Sequence, residues 1–158
     1  MATSFKRTLS LPSLLGAANH FLFGPRSTGK TYLIKNQLPD ARVYDLLDSD
    51  VFSRLARRPK TLGEELSKQD NLVVIDEIQK LPALLDEVHR LIETRGRRFL
   101  LTGSSARKLR RGGSNLLGGR ARQANLYPLC FPEIPHFDLI TYLNRGGIPR
   151  ILPLKDYE

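Results

Sequence analysis

The feature that most constrains the fold is the eight-residue stretch from Gly24 to Thr31, which reads G-P-R-S-T-G-K-T. It matches the pattern G-x-x-x-x-G-K-[ST], which is typical of a phosphate-binding loop between a strand and a helix. The flanking residues agree, because the apolar run 21–23 suits a buried strand and the segment from Thr31 to Leu38 suits a helix. The pattern therefore favours an α/β fold. The alternative interpretation is a glycine-rich turn that binds nothing.

The spacing within this loop has a physical reason. Gly24 and Gly29 let the backbone curl so that successive N–H groups point at phosphate oxygens, near the positive end of the helix that follows. Lys30 supplies a mobile positive charge for the β- and γ-phosphates, and the Thr31 hydroxyl is suited to a Mg²⁺ site. The nucleotide-binding residues that we predict are Gly24, Pro25, Arg26, Ser27, Thr28, Gly29, Lys30 and Thr31.

A second site feature is the pair Asp76-Glu77, which follows the apolar run 72–75. That run is rich in β-branched residues and predicts a strand covered on both faces, as in parallel sheets. Ligands bind at the carboxyl ends of such strands. We expect Asp76 to hold Mg²⁺ and Glu77 to orient and activate the attacking water. The alternative is a solvated acidic pair at the end of a strand.

Strands and helices alternate along the rest of the chain, which predicts a parallel sheet with right-handed crossovers. We predict strands near 21–23, 42–47, 72–77, 98–104 and 124–127, and helices near 31–38, 51–56, 62–68, 81–92 and 137–143. Thr61 and Glu64 form a capping-box pattern, which predicts a side-chain cap on the third of these helices.

Length and composition set further bounds. A chain of 158 residues with 41% hydrophobic residues is an ordinary single-domain globular protein. No apolar stretch is long enough for a membrane span, and the single cysteine, Cys130, suits a reducing cytoplasm. The first eighteen residues superficially resemble a secretory signal, but polar residues and Pro12 interrupt the apolar run. We expect instead a lead-in segment, 1–18, that packs beside the nucleotide base.

Two more polar residues are candidates for catalysis. Ser104, with Thr102 as the second choice, ends a predicted strand and either contacts the γ-phosphate and the attacking water or caps the next helix. Arg120 follows two glycines and is either an arginine finger, acting in cis or across a subunit interface, or one more solvated cation.

The net charge of +9 has a local origin. Between Arg90 and Arg122 there are ten basic residues and one acidic residue, so this third of the chain carries the whole excess. Such a cluster is compatible with backbone contacts to duplex DNA. The residues that would make them are Arg95, Arg97, Arg98, Arg107, Lys108, Arg110 and Arg111. Because no aromatic residue except Phe99 accompanies them, a platform for stacking single-stranded bases is missing, and a solvated or phosphate-facing loop is the alternative.

Taken in order, the segments GPRSTGKT, LVVIDEIQKLP, FLLTGSSARKL, SNLLGGR, PLCFPEI and YLNRGGIP resemble one family. They are similar to the AAA-type P-loop ATPases of the archaeal-ATPase group, whose core usually precedes a C-terminal domain of unknown function. The resemblance covers about residues 7–154. It implies a P-loop NTPase three-layer sandwich whose five-stranded parallel sheet has the order 5-1-4-3-2. It also implies ATP as the substrate and Mg²⁺ as the cofactor.

The resemblance assigns roles to particular positions. Ser104 falls at the family's sensor position and Arg120 at its arginine after glycine. Gly147 and Pro149 belong to an element that begins the lid and is expected near the nucleotide base. The resemblance implies an ATPase core over 19–132 and the start of a helical lid over 133–158, with most of the lid missing. We therefore predict an ATPase in which Arg120 acts either in cis or, in a homo-oligomer, across a subunit interface, with a non-hydrolysing nucleotide switch and a DNA-binding module that uses the 90–122 region as alternatives.

Overall fold

The computed structural model describes residues 5–111 and 117–152, with the side chains of Lys108, Arg110 and Arg111 outside the description. Its strands are β1 (Asn19–Phe23), β2 (Arg42–Asp45), β3 (Leu72–Asp76), β4 (Arg98–Gly103) and β5 (Ala121–Asn125). Its α-helices are α1 (Leu11–Ala17), α2 (Lys30–Gln37), α3 (Ser49–Arg57), α4 (Thr61–Glu65), α5 (Leu84–Arg95), α6 (Ala106–Arg111) and α7 (Leu139–Arg145). Three short 3₁₀ turns cover Ile78–Lys80, Leu117–Gly119 and Phe131–Glu133.

The strands form one parallel sheet in the order β2-β3-β4-β1-β5, so the predicted order is confirmed. The central strand β4 lies between β1 and β3, with Phe23 opposite Gly103 and Ile75 opposite Leu101. The carboxyl ends of β1, β3 and β4 therefore meet at one edge of the sheet. This edge carries both acidic residues and the glycine-rich loop.

Alternate residues of the strands serve two cores, one on each face of the sheet. On one face, Phe21, Ile75 and Phe99 pack with α3, α4 and α5. On the other face, Leu22, Val74, Leu100 and their neighbours pack with α1 and α2. Because both faces are covered, the inner strands β1, β3 and β4 contain continuous apolar runs in the sequence.

The lead-in segment contributes to the second core. Leu11 and Leu15 of α1 are buried in the cluster that contains Leu33 of α2. The Gln37 side chain ties the two helices together, since its Oε1 accepts from Leu11 N at 2.7 Å and its Nε2 donates to Leu9 O at 3.0 Å. The helix is thus packed on the sheet, while residues 7–9 lie nearer the carboxyl end of β5.

Some boundaries differ from the predicted ones. β5 begins at Ala121 because its backbone pairs with β1 along its whole length, whereas its side chains are mostly exposed and leave no apolar pattern to read. The capping-box prediction is wrong: Lys60 is the N-cap residue of α4 and makes no side-chain cap hydrogen bond. That helix ends at Glu65, so its predicted extension to Lys68 is also wrong.

Over residues 5–111 and 117–152, no helix is both long and apolar enough to cross a membrane. The same ranges hold no group of three or more histidine, cysteine and acidic side chains arranged to hold a metal ion.

Candidate nucleotide-binding site

The glycine-rich loop leaves the end of β1 and turns directly into α2. Its first amide, Gly24 N, donates to Gly103 O at 3.2 Å, which ties the loop to the end of β4. A Cβ at position 24 would lie 2.2 Å from Leu126 O, so the backbone here approaches too closely for any other residue. Gly29, the N-cap of α2, has φ 92 and ψ 23, a left-handed conformation that glycine adopts without strain. These contacts explain both glycines of the pattern.

Lys30 is the first residue of α2, and its side chain folds back over the loop. It is 7% exposed, and its Nζ donates to Gly24 O at 2.7 Å and to Pro25 O at 3.1 Å. Burial lowers the pKa of Lys30, and Arg26 acts in the same direction, whereas Glu77 and Asp76 oppose the shift. The ammonium is thus desolvated and held at the mouth of the loop, next to the carboxylates.

Asp76 connects the loop with the centre of the sheet. Thr31 Oγ1 donates to Asp76 Oδ2 at 3.0 Å, and the Thr102 hydroxyl donates to Asp76 Oδ1. Asp76 is 4% exposed and Thr102 is fully buried, so both carboxylate oxygens are fixed in position. The three side chains come from α2, β3 and β4, which shows that the sheet order assembles this cluster.

The donor set of this cluster fits Mg²⁺. Hydroxyl and carboxylate oxygens are the ligands that this cation prefers, and it usually keeps several waters and binds through one or two carboxylates together with substrate phosphates. Thr31 and Asp76 supply one oxygen of each kind, already in contact with each other beside the phosphate-binding loop. These two residues would hold the cation.

Glu77 directly follows β3 and is partly exposed, at the same edge of the sheet. Its backbone is left-handed, with φ 61, and its N–H donates to Thr102 Oγ1 at 3.2 Å. Its carboxylate accepts a hydrogen bond from the Gln79 side-chain amide. A left-handed conformation is uncommon for a residue with a Cβ, and such strain clusters at functional sites.

Gln79 is a residue of the site that the sequence reasoning missed. Its Nε2 reaches Glu77, while its Oε1 is buried with no hydrogen-bond partner among the residues that the structure describes. The same Oε1 lies close to the end of β4, since a Cβ at position 103 would lie 2.5 Å from it. The available signal was proximity in sequence, because Gln79 follows Glu77 by two positions in a tight turn.

The two hydroxyl candidates occupy different places. Thr102 contacts both acidic residues from inside β4, as described above. Ser104 lies just past the end of β4 and is partly exposed. The next helix, α6, donates a backbone hydrogen bond to Ser105, from Arg107 N to Ser105 Oγ at 3.2 Å. The structure thus brings Thr102, the second choice, to the acidic pair.

Arg120 lies at the amino-terminal end of the strands, whereas the loop lies at their carboxyl-terminal end. It immediately precedes β5, whose first residue Ala121 pairs with Asn19 at the start of β1, whereas the loop follows Phe23 at the other end. The Arg120 guanidinium binds Glu93 on α5, with 2.6 Å between Nη2 and Oε1. The five residues of β1 separate the two ends of the strand by about 15 Å, so the Arg120 side chain does not reach the loop of its own chain.

Gly147 and Pro149 follow α7, and Gly147 contacts the segment after β5. Gly147 O accepts from Leu129 N at 2.6 Å, and a Cβ at position 147 would lie 2.4 Å from Leu129 O. Tyr142 Oη donates to that same carbonyl oxygen at 2.9 Å. Pro149 is partly buried in the turn that follows. The element thus braces the segment after β5.

Most described cations of the 90–98 segment are engaged within the chain. Arg90 pairs with Glu87 on α5, Arg95 Nη1 donates to Gly63 O at 2.7 Å, and Arg97 donates to backbone oxygens of 67–70. Arg107 is exposed, and the other candidates Lys108, Arg110 and Arg111 have side chains outside the described part of the chain. Among the described candidates, Arg95 and Arg97 are thus held by the chain itself.

Comparisons with known proteins agree with this geometry. The model of the AAA domain matches residues 18–135. The chain belongs to the AAA domain family. The resemblance to AAA-type P-loop ATPases is thereby confirmed, and family membership implies that the loop binds a nucleotide. A search of curated proteins finds no match.

A solved structure shares the fold. The Walker-type ATPase Paby2304 of Pyrococcus abyssi superposes with a TM-score of 0.56 and 15% identity over 89% of this chain. The matched region is 62% of that ATPase, so the present chain spans less than two thirds of its length. Domain III of the Thermotoga maritima replication initiation protein DnaA gives a TM-score of 0.41 with 18% identity, over 71% of this chain and 55% of the other, which is too low to support an argument.

Proposed function

We propose that this protein binds ATP with Mg²⁺ and hydrolyses it to ADP and phosphate. One observation carries the proposal: the hydroxyl that closes the glycine-rich loop is hydrogen-bonded to the carboxylate that ends β3, at 3.0 Å. A glycine-rich turn without a ligand has no need for this contact. It is the arrangement expected where a triphosphate and its cation share one site.

Different residues of the chain have different roles in the proposed hydrolysis. The loop amides and the Lys30 ammonium stabilise negative charge on the β- and γ-phosphates. Thr31 and Asp76 would hold Mg²⁺, which when bound neutralises charge on the phosphate oxygens. Glu77 orients the attacking water and accepts its proton as the water oxygen bonds to the γ-phosphorus. The bond between that phosphorus and the β–γ bridging oxygen breaks, and ADP leaves. Thr102 fixes the positions of the Asp76 carboxylate and the Glu77 backbone through hydrogen bonds.

Arg120 fits this reaction only from a neighbouring copy, because the loop of its own chain lies at the opposite end of the strands. In that role its planar guanidinium stabilises charge that develops on the transferred phosphoryl group of the partner copy. The pair with Glu93 keeps the side chain ordered until the copies meet. Hydrolysis is then expected to depend on assembly.

The experiment is calorimetric titration with ATP, ADP and GTP, each with and without Mg²⁺, together with light scattering and a phosphate-release assay. We expect micromolar to millimolar binding of ATP that is strengthened by Mg²⁺. Absence of binding by the folded protein at millimolar nucleotide would refute the proposal.

Glu77→Gln separates binding from catalysis. The variant keeps the size of the side chain but removes the proton acceptor, so we expect ATP affinity to stay within about threefold and hydrolysis to fall about a hundredfold or more. Single-turnover phosphate release measures the second effect. Undiminished turnover in this variant would remove Glu77 from the role of base.

One observation favours a second candidate, a nucleotide switch that does not hydrolyse ATP by itself. The Glu77 carboxylate accepts a hydrogen bond from Gln79, which uses part of its capacity to accept one from the attacking water. If the wild-type protein binds ATP and Gln79→Ala releases phosphate faster than wild type, the switch interpretation is favoured over constitutive hydrolysis. Duplex DNA binding remains a further alternative, and an affinity that falls steeply with salt would support it.

A further inference from the structure

Arg26 lies in the middle of the glycine-rich loop, in the turn between Pro25 and Gly29. It is exposed, and within the described residues no hydrogen bond or ion pair holds its side chain. At the other end of the strands, by contrast, Arg97 and Arg120 are engaged by oxygen atoms of the chain. A guanidinium that the chain leaves unpaired beside a phosphate-binding loop is accessible to a ligand.

The backbone on both sides of Arg26 is held in place. Pro25 O accepts from Thr28 Oγ1 at 2.9 Å and from Lys30 Nζ at 3.1 Å. Thr28 is fully buried, so its hydroxyl has a fixed position. Ser27 has a left-handed backbone with φ 64, which is uncommon for a residue with a Cβ and clusters at functional sites. The loop therefore determines where the Arg26 side chain begins, while its guanidinium can still turn towards a ligand.

The charges around Lys30 indicate which part of a nucleotide Arg26 would meet. Burial lowers the pKa of Lys30, Glu77 and Asp76 oppose the shift, and Arg26 adds to it. The guanidinium and the two carboxylates thus lie within electrostatic reach of the same ammonium. In the proposed reaction these carboxylates serve the cation and the attacking water, both of which meet the γ-phosphate. Since Arg26 and Lys30 repel each other, an anionic group between them would be stabilised by both.

We propose that the Arg26 guanidinium binds the γ-phosphate of ATP and makes the loop prefer ATP to ADP. The inference rests on the proposed function and adds the residue that distinguishes substrate from product. The loop amides and Lys30 can hold the β-phosphate of either nucleotide, whereas the γ-phosphate adds charge and acceptor oxygens that ADP lacks. A planar guanidinium donates two parallel hydrogen bonds to such a group.

The test is calorimetric titration of the whole chain with ATP and with ADP, each in the presence of Mg²⁺. Wild type should bind ATP more tightly than ADP. Arg26→Met should weaken ATP binding about tenfold to a hundredfold and change ADP affinity by less than about threefold, because only the contact with the γ-phosphate is lost. The matched control Arg57→Met, at an exposed position of α3, should change neither affinity.

The ratio of the two affinities separates a contact with the γ-phosphate from a structural role, since a distorted loop would bind both nucleotides less tightly. Three results would overturn the inference and leave the proposed function standing: a loss of ADP affinity as large as the loss of ATP affinity, no loss of either, or a wild type with no preference for ATP. A folded wild type that binds neither nucleotide would refute the proposed function, and this inference with it.

Discussion

The two ends of the parallel sheet carry charged residues in different ways. At the carboxyl end, Lys30, Asp76 and Glu77 lie beside the glycine-rich loop. Lys30 donates to Gly24 O, Asp76 accepts from Thr31, and the charges of both carboxylates act on the Lys30 ammonium. At the amino end, Arg97 donates to backbone oxygens, and Arg120 pairs with Glu93. The first set converges on a site, whereas the second fastens loops and a helix to the sheet.

The largest difference between the two ends of the sheet is expected when one cation is removed from each of them. Lys30→Ala should weaken ATP binding at least about a hundredfold, because a desolvated charge at the phosphates is lost. Arg97→Ala should leave ATP affinity within about threefold and lower the free energy of unfolding by about 1–3 kcal/mol, since it frees the carbonyl oxygens of Ser67 and Asp70. Calorimetry and urea denaturation measure the two effects. Equal losses of ATP affinity in both variants would contradict the distinction.

A second test sharpens the comparison within the carboxyl end. Thr102→Val removes a buried hydroxyl that donates to Asp76, so we expect the free energy of unfolding to fall by about 1–3 kcal/mol and Mg²⁺-dependent ATP binding to weaken. Ser104→Ala, the matched change at the partly exposed neighbour, should alter stability by less than about 0.5 kcal/mol. If Ser104→Ala weakened Mg²⁺-dependent binding more than Thr102→Val, our assignment of the hydroxyl would be wrong.

The pKa of Lys30 gives a third test. Burial lowers this pKa in the free protein, so the ammonium loses its proton at a lower pH than an ordinary lysine. Because the triphosphate favours the protonated form, ATP affinity should decline as the pH rises through the Lys30 pKa. Over the same interval the unfolded chain holds more protons than the folded one, so the contribution of Lys30 to stability rises with pH. Calorimetry in buffers of different ionisation heat detects the proton uptake on binding, and its absence at alkaline pH would contradict the assignment.

The smallest expected effect belongs to the amino end. Arg120→Ala breaks a pair whose two side chains are 41% and 51% exposed, so the thermal midpoint and ATP affinity of the isolated chain should hardly change. Hydrolysis should fall only at protein concentrations where the chain assembles. Phosphate release measured over a range of concentrations tests this, with Arg57→Ala as the control. A loss of hydrolysis that is independent of concentration would argue against action across an interface.

Local patterns in the sequence were enough for the fold class and for the loop. The glycine pattern, the apolar runs of β3 and β4, and the stripe of α5 are each determined by residues close together in the chain. The edge strand β5 was misplaced by three residues because its side chains face solvent, so only backbone pairing with β1 defines it. The cap predicted at Thr61 failed because Lys60 already occupies the N-cap position.

By itself the sequence predicted which residues would bind phosphate and cation, since the chemistry of that prediction lies in the glycine spacing, one lysine and two acidic residues. Only the tertiary structure decided which distant residues join them. Insertion of β4 between β1 and β3 brought Thr102 to Asp76, and the length of β5 kept Arg120 away from its own loop. Arg7 contacts Tyr127 and Glu133, which lie more than a hundred residues further along the chain. Contacts of that separation depend on packing, which no local pattern encodes.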